Sequence, residues 1–96
     1  MDGLTRFDIA EFRGTLMVVV ESDLLPPDPT VVIIPLLPDY PAVARLNPVI
    51  EVEGRKLVLA TRLIAAVRRA PLAKVGTAKG AGDAITRALD VLISGV

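Results

Sequence analysis

The unbroken apolar run Met17-Val18-Val19-Val20 most narrows what this chain can fold into. Side chains alternate between the two faces of a strand, so a strand apolar throughout must be covered on both sides. The segment Thr15 to Ser22 therefore reads as a strand that is central in a sheet or faces a second copy of the chain. The proline cluster Pro26, Pro27 and Pro29 follows, and proline cannot donate to a ladder, so Leu24 to Thr30 reads as a loop. Val31 to Leu36 is a second apolar strand, with Pro35 predicting an edge or a bulge at that point.

The remaining pattern adds short strands and one helix. Leu4 to Ile9 is a first strand. Leu37 to Asn47, with Pro38 and Pro41, reads as a loop with one helical turn. Val49 to Glu53 and Lys56 to Thr61 form a hairpin around Gly54-Arg55, with Glu51 and Glu53 on one face and Ile50 and Val52 on the other. Arg62 to Arg69 reads as a short helix with Leu63, Ala66 and Val67 as its stripe. Pro71 to Gly76 is the last strand, and Thr77 to Gly82 a flexible loop. From Asp83 the residues Ile85, Ala88, Leu89 and Leu92 recur at helical spacing, and Gly95 stops that helix. Val91, Ile93 and Val96 are apolar outside the stripe, which makes them candidates for a dimer seam or an external target. Many short strands followed by one helix predict a mainly β chain, a small barrel or sandwich with a C-terminal helix against it, in one domain spanning 1–96.

Composition excludes several chemistries. The 96 residues contain no Cys and no His, so thiolate catalysis, disulfides and the usual zinc ligands are absent. The commonest general base is missing too. Eleven basic residues balance eleven acidic ones, which argues against a phosphate-binding surface for nucleic acid. The longest apolar runs fall far short of the ~20 residues that span a bilayer, and no signal peptide is visible. A cytoplasmic protein with no cofactor, no metal and no catalytic residues is the expectation. At 52% apolar with only Phe7, Phe12 and Tyr40 as aromatics, the core is aliphatic, and a homodimer is expected to cover the surplus.

Weaker candidates have plainer alternatives. Gly76 to Gly82, with Lys79 before a helix, has the ingredients of a phosphate cradle without P-loop spacing, and reads better as a connector. Glu51 and Glu53 read as a solvated face. Arg68-Arg69 reads as surface. Arg62 beside Thr61 offers a cation and a hydroxyl.

Several ordered stretches resemble the CcdB toxins of bacterial toxin–antitoxin modules. They are Leu16 to Leu25 with its Ser-Asp-Leu-Leu ending, Val32-Ile33-Ile34-Pro35-Leu36, Leu46-Asn47-Pro48-Val49-Ile50, Ala70 to Gly76, and Ala84 to Leu92. The resemblance covers nearly the whole chain in order. It implies an SH3-like small β-barrel of the CcdB/MazF kind with a C-terminal helix, assembled as a homodimer. It implies a cytoplasmic, non-enzymatic plasmid-maintenance toxin that binds the A subunit of DNA gyrase and is neutralised by a cognate CcdA-like antitoxin with a disordered arm. Gyrase contact falls on Ser94, Gly95 and Val96, where the family carries Trp-Gly-aliphatic, so a serine stands in the tryptophan position. Tyr40, Arg45, Arg62 and Leu63 are the positions expected to meet the antitoxin. Two alternatives stay open: a MazF/Kid-like endoribonuclease using Thr61 and Arg62, and a non-toxic homologue that only binds antitoxin.

Overall fold

The computed structural model describes residues 3–95. Seven strands form one antiparallel sheet: β1 (Asp8–Phe12), β2 (Thr15–Val19), β3 (Thr30–Leu37), β4 (Val49–Val52), β5 (Arg55–Leu59), β6 (Ala65–Arg68) and β7 (Ala73–Thr77). The order is β4-β5-β3-β2-β1-β7, and β6 joins β3 end to end with β5. The sheet curls into a half-barrel, and helix α1 (Gly82–Ser94) closes the chain. The expected mainly β architecture with a C-terminal helix is what the chain adopts.

Two-residue turns make the hairpins. Arg13-Gly14 and Glu53-Gly54 all have positive φ, the handedness that matches the twist of the flanking strands. The second turn lies one residue earlier than expected. Glu53 is therefore a turn residue, and it does not share a strand face with Glu51.

β2 is central, between β1 and β3, as its two-sided apolar pattern requires. Val18 faces one core with Ile9, Ile34, Leu57, Leu59 and Ile85. Met17 and Val19 face a second cluster with Ala10, Val31 and Ile33. Helix α1 covers the first core through Ile85 and Ala88, which have no exposed surface.

Other expectations differ from the structure as well. The first strand is Asp8–Phe12, not Leu4 to Ile9: Phe7 has φ 71°, so the extended strand starts after it. Asp8 is buried there, accepting from Thr5 N–H at 2.7 Å and Thr5 Oγ1 at 3.0 Å, with Lys74 Nζ of β7 at 3.4 Å. Pro35 marks neither an edge nor a bulge. It sits in a central strand where β3 changes partner from β6 to β5, so its missing N–H removes no ladder bond, while its carbonyl accepts Ala60 N–H at 2.9 Å. Arg62 to Arg69 is not a helix. Thr61–Leu63 is a 3-10 turn and Ala65–Arg68 is β6, because pairing with Val31 and Ile33 of β3 outweighs the local helical pattern. Leu37 to Asn47 contains turns and a bridge between Val43 and Asn47, without a helical turn.

The loop before α1 is a built element. Ala78 N–H donates to Phe7 O at 2.7 Å, and Lys79–Ala81 is a 3-10 turn running into α1. A Cβ on Gly82 would lie 2.9 Å from Phe7 Cε2, so glycine is required by close packing.

Candidate target-binding surface

Helix α1 ends in a defined cap. Gly95 adopts φ 76°, ψ 12°, the left-handed conformation that glycine enters without a Cβ penalty. Its N–H donates to Val91 O at 2.9 Å. Ser94 and Gly95 are exposed, while Val96 lies outside the described residues. Ile93 is 77% exposed, the most open apolar side chain of the helix, whereas Val91 is half-buried.

A second apolar projection comes from the loop after β2. Leu24 is 93% exposed and Leu25 54%. A polar turn holds them out: Leu24 N–H donates to Ser22 Oγ at 3.1 Å and Leu25 N–H to Ser22 O at 3.3 Å. Pro26 and Pro27 keep the following backbone out of any ladder. Both leucines belong to a stretch that carries the family likeness, but sequence reasoning missed their exposure. The available signal is two adjacent leucines between a Ser-Asp pair and a Pro-Pro pair.

Arg6 links this loop to α1. Its N–H donates to Asp23 Oδ1 at 2.8 Å, its Nη2 reaches Thr86 Oγ1 at 3.4 Å, and its guanidinium lies 4.7 Å over the Phe7 ring. Ile93 follows Thr86 by two helical turns and shares its face. Arg6 thus ties the loop at Asp23 to α1 at Thr86, two turns before the exposed Ile93.

The expected antitoxin residues form a different region. Thr61 is fully buried, and its hydroxyl donates to Leu46 O and lies 3.3 Å from Leu59 O. This bond clamps the turn carrying Arg62 and Leu63 to the loop carrying Tyr40 and Arg45. Asn47 closes that loop by donating from Nδ2 to Pro41 O at 3.2 Å and from N–H to Val43 O at 2.8 Å. Arg62, Leu63 and Arg45 are exposed, and Tyr40 is half-buried. Arg45 has φ 73°, a strained conformation for a residue with a Cβ.

Thr61, offered as a ribonuclease group beside Arg62, uses its hydroxyl inside the fold while Arg62 points to solvent. Among the described residues no group of His, Cys, Asp and Glu is placed to hold a metal. No helix is long and apolar enough to cross a membrane.

No curated protein matches the chain. The family model described as CcdB protein matches residues 9–95, from the first strand to the cap of the last helix. The chain belongs to the CcdB family, the toxins of toxin–antitoxin modules.

Proposed function

We propose that this toxin acts by contact with the A subunit of DNA gyrase, and not by catalysis of its own. The C-terminal residues Ser94, Gly95 and Val96 meet the target, with Ile93, Leu24 and Leu25 as apolar anchors around them. The observation that carries this reading is the exposure of Ile93 and Leu24, large apolar side chains with no internal role in a chain whose family is that of CcdB. A buried tryptophan removes 150–250 Å² from water and is a common hot spot. Serine at position 94 supplies almost none of that, and the two exposed leucines offer apolar area of their own.

The working unit is a cytoplasmic homodimer, and a cognate CcdA-like antitoxin silences it. The region joined by Thr61 and Leu46, with Tyr40, Arg45, Arg62 and Leu63 around it, is the antitoxin side. Expression of the chain, of the chain without residues 94–96, and of an Ile93→Asp variant tests the proposal. Growth inhibition by the intact chain, with loss in both variants and gyrase supercoiling blocked only by the intact protein, is expected. Equal toxicity of the truncated protein overturns the reading. The serine at position 94 favours one rival, the non-toxic antitoxin binder, which predicts healthy cells and tight antitoxin binding together.

A further inference from the structure

Among the described residues the sheet has three open edges, and they are defended unequally. On β7, Val75 forms a bulge between the pairs Ile9–Gly76 and Ala10–Lys74, and Lys74 is charged. On β4, the exposed Glu51 lies between Val49 and Val52. Bulges and charges of this kind keep an edge from pairing with other chains. Strand β6 carries no bulge and no charge before its last residue, Arg68, and its first residues, Ala65 and Ala66, are both exposed.

The register shows which backbone groups are open. Val32 faces β2, because its carbonyl accepts Val20 N–H at 3.1 Å and its N–H donates to Glu21 Oε1 at 3.3 Å. Facing directions alternate along a strand, so Val31 and Ile33 bond to β6, where they pair with Val67 and Ala65. The N–H and C=O groups of Ala66 and Arg68 therefore point away from the sheet. Such groups are a template for an added strand.

Charge selects the occupant. Arg68 lies on this edge and Arg62 just before it; both are exposed, and neither forms an ion pair among the described residues. Two copies of this edge, each with Arg68 and with Arg62 in the turn ahead of it, would bring four guanidinium groups and no carboxylate, which disfavours a second copy. A carboxylate-bearing strand reverses that sign.

We propose that the free edge of β6 receives an extended acidic peptide of a partner chain, bonded backbone to backbone at Ala66 and Arg68 with its carboxylates on Arg68 and Arg62. The inference rests on the reading of the chain as a toxin held by an antitoxin, whose disordered arm is the peptide in question. A disordered segment that adds a strand gains main-chain bonds as it orders.

The test uses the full chain and two fluorescein-labelled peptides, acetyl-Glu-Val-Thr-Val-Thr-Glu-amide and its lysine counterpart, read by anisotropy. The glutamate peptide is expected to bind, more weakly at high salt, and the lysine peptide not to. Ala66→Pro removes an outward N–H that the fold does not use, and edge strands tolerate proline there. It should weaken binding about tenfold, while Ala66→Thr, which keeps the N–H, should not. Arg68→Glu should reverse the preference between the peptides. Absence of binding by the glutamate peptide, or equal binding of the two peptides, overturns the proposal. So does unchanged binding by an Ala66→Pro protein with wild-type circular dichroism and melting. If that variant instead loses only self-association in sedimentation, the edge serves a second copy and the proposal falls. In cells, Ala66→Pro should remain toxic yet escape its antitoxin. Full neutralisation would sink the edge proposal and leave the toxin reading intact. An intact chain that never inhibits growth sinks the toxin reading whatever the peptides do.

Discussion

The ring of Phe7 occupies the space that a side chain on Gly82 would need, with Cε2 2.9 Å from the position of a Cβ. Phe7 belongs to the segment before β1 and Gly82 opens α1, so this approach fixes where the helix leaves the sheet. Gly82→Ala pits a gain in helix propensity of at most about 1 kcal/mol against overpacking of about 1–3 kcal/mol. The balance is destabilising. Chemical denaturation should show a lower midpoint for Gly82→Ala, and Phe7→Leu in the same chain should recover part of the loss. A more stable Gly82→Ala protein would contradict the packing.

Thr61 holds two loops together from inside. Thr61→Val keeps the side-chain shape but leaves the Leu46 carbonyl without its donor, a change of about 1–3 kcal/mol. Arg62→Ala, one residue along and exposed, should stay within about 0.5 kcal/mol of wild type. Amide hydrogen exchange should quicken at Asn47, whose N–H donates to Val43 O within the clamped loop. Equal stability of both variants would remove Thr61 from this role.

A substitution at Leu24 is expected to separate folding from toxicity. At 93% exposure it contributes almost nothing to the core. Leu24→Asp should leave the melting transition unchanged to within about 0.5 kcal/mol and abolish growth inhibition. Retained inhibition would exclude this loop from the target surface.

The turn before β3 carries a titration signature. Thr30 donates from Oγ1 at 2.6 Å and from N–H at 2.9 Å to Asp28 Oδ2, and Arg69 adds positive charge. The Thr30 hydroxyl is the largest cause holding the Asp28 carboxyl below its ordinary value of 3.8, followed by the Thr30 amide. A carboxyl lowered by folding favours the folded state above 3.8 and loses that contribution as pH falls through its folded value. Carbon-detected NMR titration should show the Asp28 pKa rising toward 3.8 in Thr30→Val. No rise would mean that the hydroxyl is not the main cause.

Much of this molecule was legible in one dimension. The two-sided apolar run of β2 required a central strand, the 3.6-residue stripe required α1 to pack through Ile85 and Ala88, and Gly95 marked its end. These are local patterns, and the backbone geometry that reads them is local too. The family likeness followed the same strands in order.

Other features depended on partners distant in sequence. The helical pattern at Arg62 to Arg69 yielded to a ladder with β3, because paired backbone groups and the packing of Val67 outweigh a weak local preference. Pro35 was tolerated in a central strand because β3 changes partners there. The polar residues Asp8 and Thr61 are buried because Lys74 and Leu46 arrive from other segments to satisfy them. Local pattern was enough for the strand-rich class, the terminal helix and the family. Which apolar side chains stay outside was settled in three dimensions. Leu24 and Val18 are alike as residues, and what separates them is whether distant chain returns to cover them.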